Sequence, residues 1–217
     1  MPYALDLFRN NDDDKNKALK LINLADLQIV DIKTKTDTIS LFDKSLKDDR
    51  KKFFDIYNNI QNNSTTTHYQ FDKDLNNIGN IDLNLLDESE GTKKFIALLY
   101  YFVDITIETM NRKLIIDELD ARLHPLIVNS IVRLFNENTK SNTQLIFTTH
   151  DTNLLDKRLL RRDQIWFTEK NKYGATDLYS LVEFKGKVRN DASYEKDYIV
   201  GRYGSVPFIG DFSSLLE

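Results

Sequence analysis

Two short apolar runs, each ending abruptly in charge, constrain this chain more than anything else in it. The first is Lys113-Leu114-Ile115-Ile116-Asp117-Glu118 and the second is Leu145-Ile146-Phe147-Thr148-Thr149-His150-Asp151. Consecutive apolar and β-branched residues without alternation predict strands buried on both faces, as in a parallel sheet. Open sheets of that kind place their ligand chemistry at the carboxyl ends of the strands, where the charge falls here. An Asp-Glu pair at such a tip suits hydrolysis of a magnesium nucleotide. Asp117 would hold the metal through water, Glu118 would take a proton from the attacking water, and His150 would sense the terminal phosphate. Read alone, Leu114 to Glu118 is more readily a strand running into a helix cap. The second run shifts the balance toward chemistry.

A third element lies upstream. Glu88-Ser89-Glu90-Gly91-Thr92-Lys93-Lys94 opens an apolar helix, Phe95-Ile96-Ala97-Leu98-Leu99-Tyr100-Tyr101-Phe102. Ser89 is suited to cap it, and Gly91 would let the backbone approach an anion closely. The free amides of such a helix start form a phosphate site.

These elements, in this order, resemble the signature loop, Walker B strand and switch histidine of the C-terminal half of an ABC/SMC-like AAA-family ATPase. The resemblance is strongest to the group found in bacterial abortive-infection and other anti-phage defence modules. Asp117-Glu118-Leu119-Asp120-Ala121-Arg122-Leu123-His124-Pro125 is similar to that group's acidic pair, D-loop and Leu-His-Pro helix start. Leu159-Leu160-Arg161-Arg162-Asp163-Gln164-Ile165-Trp166-Phe167 resembles its next strand, and Gly201-Arg202-Tyr203-Gly204-Ser205-Val206-Pro207-Phe208-Ile209 its ending. The likeness covers roughly residues 82 to 212. It implies catalytic roles for Glu118 and His150, a magnesium ligand in Asp117, and nucleotide contacts from Ser89, Gly91, Thr92 and Asp120. In the family two ATPase halves close on nucleotide, so Ser89 and Gly91 would serve the opposite subunit and stand apart from Asp117 within one chain. His124 reads as a helix-start residue, and Arg161 and Arg162 as structural.

One departure stands against these matches. No G-x-x-x-x-G-K-[ST] phosphate loop occurs, and with seven glycines in all, Gly79 and Gly91 being the nearest, nothing else supplies a cradle. The chain is therefore expected to begin inside the fold and to lack the Walker A region. ATP and Mg²⁺ are expected cofactors of the complete enzyme only, and the isolated chain should be inactive.

Composition bounds the rest. A chain of 217 residues has room for one domain, or a domain with an arm. Zero cysteine excludes disulfides and thiolate metal sites and fits a cytoplasmic protein. No apolar run approaches a membrane span, and a net charge of -4 gives nucleic-acid binding no general support.

Helical spacing marks residues 15–27 and 45–59, with short strands at 28–32 and 65–71 and a turn at 61–64. His68 reads as a strand residue. After the helix that follows Ser89, strand 113–117 leads to helix 125–138, strand 144–149, a short helix near 152–160, and strands 164–168 and 177–183. Lys170 to Gly174 would turn the last two into a hairpin, and 191–200 would form a final helix. Pro125 suits the first turn of its helix. The fold expected is α/β: an incomplete P-loop NTPase sheet of ABC-ATPase type, flanked by helices. Residues 1–81 would form a helical and β arm or lid, and 82–217 the C-terminal ATPase lobe. Strands 113–117, 144–149 and 164–168 should lie in one sheet, with Asp117 and His150 at the same edge.

Three functional readings follow. The first is an ATPase half that completes its site with a second half or subunit, as a homodimer or heterodimer, with a nuclease or other effector as a further partner. The second is a non-enzymatic interaction or regulatory module that pairs with a full-length ATPase or defence effector. The third, a two-metal nuclease, ranks last because no carboxylate cluster stands beyond Asp117, Glu118 and Asp151.

Overall fold

In a computed structural model of the protein, the described residues are 2–9, 12–34, 58–104, 112–137, 142–184, 193–207, 210 and 213. They form two compact units, Met1–Thr149 and His150–Glu217. Most of the expected helix at 45–59 lies outside the described residues, although 58–62 are helical.

The first unit opens with helices α1 (Pro2–Asp6) and α2 (Asp12–Leu24). Asp12, Asp13 and Asp14 occupy the first turn of α2, where carboxylates complement the helix dipole. Strands β1 (Ile29–Thr34), β2 (Ser64–Phe71) and β3 (Asn77–Asn84) then make an antiparallel sheet in that order. Sequence reading finds β1 and β2 and misses β3, whose Asn-Ile-Gly-Asn-Ile-Asp-Leu-Asn lacks the composition of a strand. β2 carries polar groups into the interior and satisfies them. The Thr66 hydroxyl donates to Glu88 Oε1 at 2.6 Å, and the Thr67 hydroxyl to Asp82 Oδ1 at 2.6 Å.

Helix α3 (Glu90–Asp104) follows a 3-10 turn at Leu85–Asp87. It buries Phe95, Ile96, Leu98, Leu99, Phe102 and Val103, the spacing of one helical face, against α1 and α2. Each such side chain removed from water is worth about 1.5–3 kcal/mol, so this face is the main anchor of the helix.

Strands β4 (Lys113–Ile116) and β5 (Gln144–Phe147) pair in parallel, with Lys113 opposite Gln144 and Ile116 opposite Phe147. Helix α4 (Pro125–Glu137) connects them and buries Val128, Ile131 and Val132. Phe135 meets Phe102 of α3 edge-on, ring centroids 6.3 Å apart. Pro125 is the first residue of α4. The residue before it, His124, accepts the Leu126 amide at Nδ1 and the Ile127 and Val128 amides at its carbonyl, which is a cap's role.

In the second unit, β6 (Trp166–Lys170) and β7 (Thr176–Ser180) form an antiparallel hairpin about residues 171–175. This corrects the expected single sheet: among the described residues β6 pairs with β7 and not with β4 or β5. Its backbone bonds go to the neighbour next in sequence. β7 also stops earlier than expected, because the Ser180 hydroxyl and Glu183 carboxylate cap a 3-10 turn at Leu181–Glu183. The helix expected near 152–160 is only a 3-10 turn, Thr152–Leu154, capped by Asp151.

Phe167, Ile165, Leu181 and Tyr203 make the core of this unit, with Phe167 stacked 5.5 Å from Tyr198 and 5.7 Å from Tyr203. Tyr198 belongs to helix α5 (Tyr194–Ile199). The Gly201–Ser205 segment is held by tyrosines. Tyr179 donates to the Tyr203 carbonyl at 2.7 Å, Tyr198 to the Ser205 carbonyl at 2.9 Å, and Tyr203 to Asp197 Oδ2 at 3.2 Å. Gly204 has a φ of +72°, and a Cβ there would collide with the Tyr179 hydroxyl. Arg162 donates to the carbonyls of Leu181 and Phe184, at 3.2 and 3.4 Å, a structural tie.

Candidate active site

Parallel pairing brings the tips of β4 and β5 to one level. Asp117 follows Ile116, Thr148 follows Phe147, and the two meet. The Thr148 hydroxyl donates to Asp117 Oδ1 at 2.5 Å and accepts the Glu118 amide at 2.8 Å. The ladder continues past the strands, with the Thr148 amide on the Ile116 carbonyl and the Leu119 amide on the Thr148 carbonyl. One threonine thus fixes both halves of the acidic pair. The sequence alone gives Thr148 no role; its signal is a hydroxyl at the residue where a parallel neighbour ends in Asp.

Asp117 and Glu118 are both exposed, and Glu118 has a φ of +48°. A left-handed residue without a glycine is uncommon, and here it turns the chain sharply out of β4. The Ala121 amide closes the turn on the Glu118 carbonyl at 3.0 Å, while Leu119 is wholly buried and pins it. Asp120 is half-buried, beside the ammonium of Lys94.

The start of α3 reaches this turn. Ser89 caps the helix, its hydroxyl accepting the Thr92 amide at 3.0 Å and sharing a hydrogen with the Thr92 hydroxyl at 2.8 Å. Ser89 is exposed, whereas Thr92 is buried and holds the cap from behind. Upstream, the Glu88 carboxylate meets His68 Nε2 at 2.7 Å, so His68 is a strand residue tied to the approach to Ser89.

Gly91 has a further reason to be glycine: a Cβ there would overlap the Arg122 carbonyl in the segment after β4. Lys94 Nζ donates to the carbonyls of Glu118 at 2.7 Å and Ala121 at 2.9 Å. Burial holds its pKa below the usual lysine range, against the opposing pull of Asp120 and Glu118. Arg122 and Lys93 both pair with Glu90. Ser89 and Gly91 were expected to stand apart from Asp117; the contacts of their helix with this turn run through Gly91 to the Arg122 carbonyl and through Lys94 to the Glu118 and Ala121 carbonyls. A cavity of about 550 Å³ opens beside them, lined by Gln61, Leu86, Glu90, Lys93, Lys94, Ala97, Ala121 and Arg122.

His150, the remaining candidate, is exposed and is the first residue of the second unit. Among the described residues no group of three or more His, Cys, Asp or Glu could hold a metal ion. A magnesium ion held through water by one carboxylate and by phosphates needs no such cage, so Asp117 with Thr148 fits that role. The described residues also include no helix long and apolar enough to cross a membrane.

The fold is mixed α/β, with an acidic strand tip, a hydroxyl that orders it and a capped helix start packed against it, the class of a nucleotide-hydrolase domain. The chain belongs to the family described as "AAA domain, putative AbiEii toxin, Type IV TA system", which matches residues 6–156. Domains of the AAA family use nucleotide and Mg²⁺, and this family places the chain in a toxin–antitoxin and abortive-infection context. No curated protein matches the chain.

Proposed function

We propose that this chain is the C-terminal portion of an ABC-type ATPase of a bacterial anti-phage or abortive-infection system, inactive alone and active when a phosphate-loop half completes it. The reading rests on Thr148, which ties Asp117 and Glu118 together at the tips of two parallel strands. Asp117 would hold Mg²⁺, Glu118 would accept the proton of the lytic water, and His150 would contact the terminal phosphate. Ser89 and Gly91, with Thr92 behind them, present the helix start to the nucleotide of a second subunit, and Asp120 couples the two sites. ATP supplies the phosphoanhydride and Mg²⁺ its charge neutralisation. The amides and lysine of a phosphate loop must come from elsewhere, because this sequence contains none.

The test is reconstitution. Candidate phosphate-loop halves, beginning with the coding sequence upstream of Met1, are co-expressed with this chain and assayed for Mg-ATP hydrolysis. Hydrolysis that requires both parts supports the reading; none with any candidate overturns it. The second reading, an interaction module, draws on β3, whose Ile78, Ile81 and Leu83 are exposed on an edge strand. It predicts stable association with an ATPase or effector whose own activity is unchanged by Glu118→Gln.

A further inference from the structure

We propose that Lys94 is a positioning residue for Glu118: from the signature helix it holds the backbone of the acidic turn in the conformation that aims the proposed base. This deepens the proposed function and rests on it for its catalytic consequence.

The two oxygens that Lys94 engages are not arbitrary. They belong to Glu118 and Ala121, the first and last residues of one turn, whose backbone is also closed by the Ala121 amide on the Glu118 carbonyl. An ammonium donating to both ends clamps the turn shut. The turn needs a clamp, since Glu118 and Arg122 have φ of +48° and +64°, values that cost a residue with a Cβ of order 1 kcal/mol or more unless the surroundings impose them. The surroundings here are the Thr148 hydroxyl on one side and Lys94 on the other. Lys94 bonds to these two carbonyls, and the charges of Asp120 and Glu118 favour its ammonium form. The same helix begins at Ser89 and makes its close approach to Arg122 through Gly91. A shift of the helix start would therefore pass through Lys94 to the backbone that carries Glu118.

The test reads the turn directly, in the chain as it stands, by amide hydrogen exchange resolved to single residues. Lys94→Met should speed exchange at Leu119 and Ala121 by about tenfold or more, while Leu98 and Leu99 in α3 keep their protection. Lys94→Arg, which keeps donors at that place, should stay within about threefold of the parent. Parent-like exchange at Leu119 and Ala121 in a folded Lys94→Met chain overturns the proposal. Should that variant fail to fold, Lys94→Gln carries the same comparison at the same amides. In a reconstituted ATPase, Lys94→Met should lower kcat about tenfold with KM for ATP within about threefold, the split expected for a misplaced base. An unchanged kcat would sink the catalytic half of the inference. Absence of hydrolysis by the parent with every candidate half overturns the proposed function instead, and the exchange result then decides alone whether Lys94 holds the turn.

Discussion

At Glu118 the chain leaves β4 in a left-handed turn, and the amide of that residue rests on the Thr148 hydroxyl. If Glu118 is the proton acceptor, Glu118→Gln should reduce hydrolysis by the reconstituted enzyme about 10²–10⁴-fold, because the carboxamide keeps the shape and loses the base. Turnover at the parent rate would remove Glu118 from the mechanism. Thr148→Val tests the support behind it. The hydroxyl lies at an exposed site, so stability should fall by only about 0.5–1.5 kcal/mol in chemical denaturation. Hydrolysis should fall further than that loss of stability explains, since both Asp117 and Glu118 lose a fixed partner.

Between elements, the contact of most consequence is the start of α3 against the turn after β4. Gly91→Ala places a methyl group into the Arg122 carbonyl, and backbone on both sides leaves little room to relax. Overpacking of this kind costs about 1–3 kcal/mol, so the melting temperature should drop by several degrees. An unchanged melting temperature would mean that the helix and the segment after β4 separate easily. In the second unit the ending Gly201–Ser205 is legible as a motif but not as a structure. Its tyrosine hydroxyls reach β7 and α5, and Tyr203 is buried with its pKa pushed up to about 12, first by burial and then by Asp197. A folded-state pKa above the unfolded value near 10 means that the protonated phenol favours folding below pH 10. That contribution, at most roughly 2–3 kcal/mol, should disappear as pH rises from about 10 to 12. Tyr203→Phe should flatten this part of the stability profile; a parallel decline in the variant would assign it to another group.

For the whole molecule the deciding property is nucleotide affinity. Calorimetry should detect no micromolar binding of Mg-ATP to this chain by itself, since phosphate contacts from a loop and its lysine are absent from the sequence. Micromolar binding would show that other residues cradle the phosphates, and the cavity beside Lys93, Lys94 and Arg122 would be the place to look.

Local pattern was enough to find β4 and β5 as strands, though not their burial, since Ile115 and Ile146 are exposed, and to find the capped start of α3, Pro125 at the head of α4 and the hairpin at 171–175. Each depends on residues adjacent in sequence or on one periodicity. The order of these elements also carried the family. Pairing across the chain was not legible in the same way. β3 has no strand composition and exists because β2 supplies its hydrogen bonds, and β6 found its neighbour in β7 rather than in β5. Nor could sequence assign the contacts that Thr148, Gly91 and Lys94 make within the fold, because their partners lie about thirty residues away. Periodicity tells which face of an element is apolar, whereas a hydroxyl, a missing Cβ or an ammonium gains its role only from the atoms that folding brings opposite it.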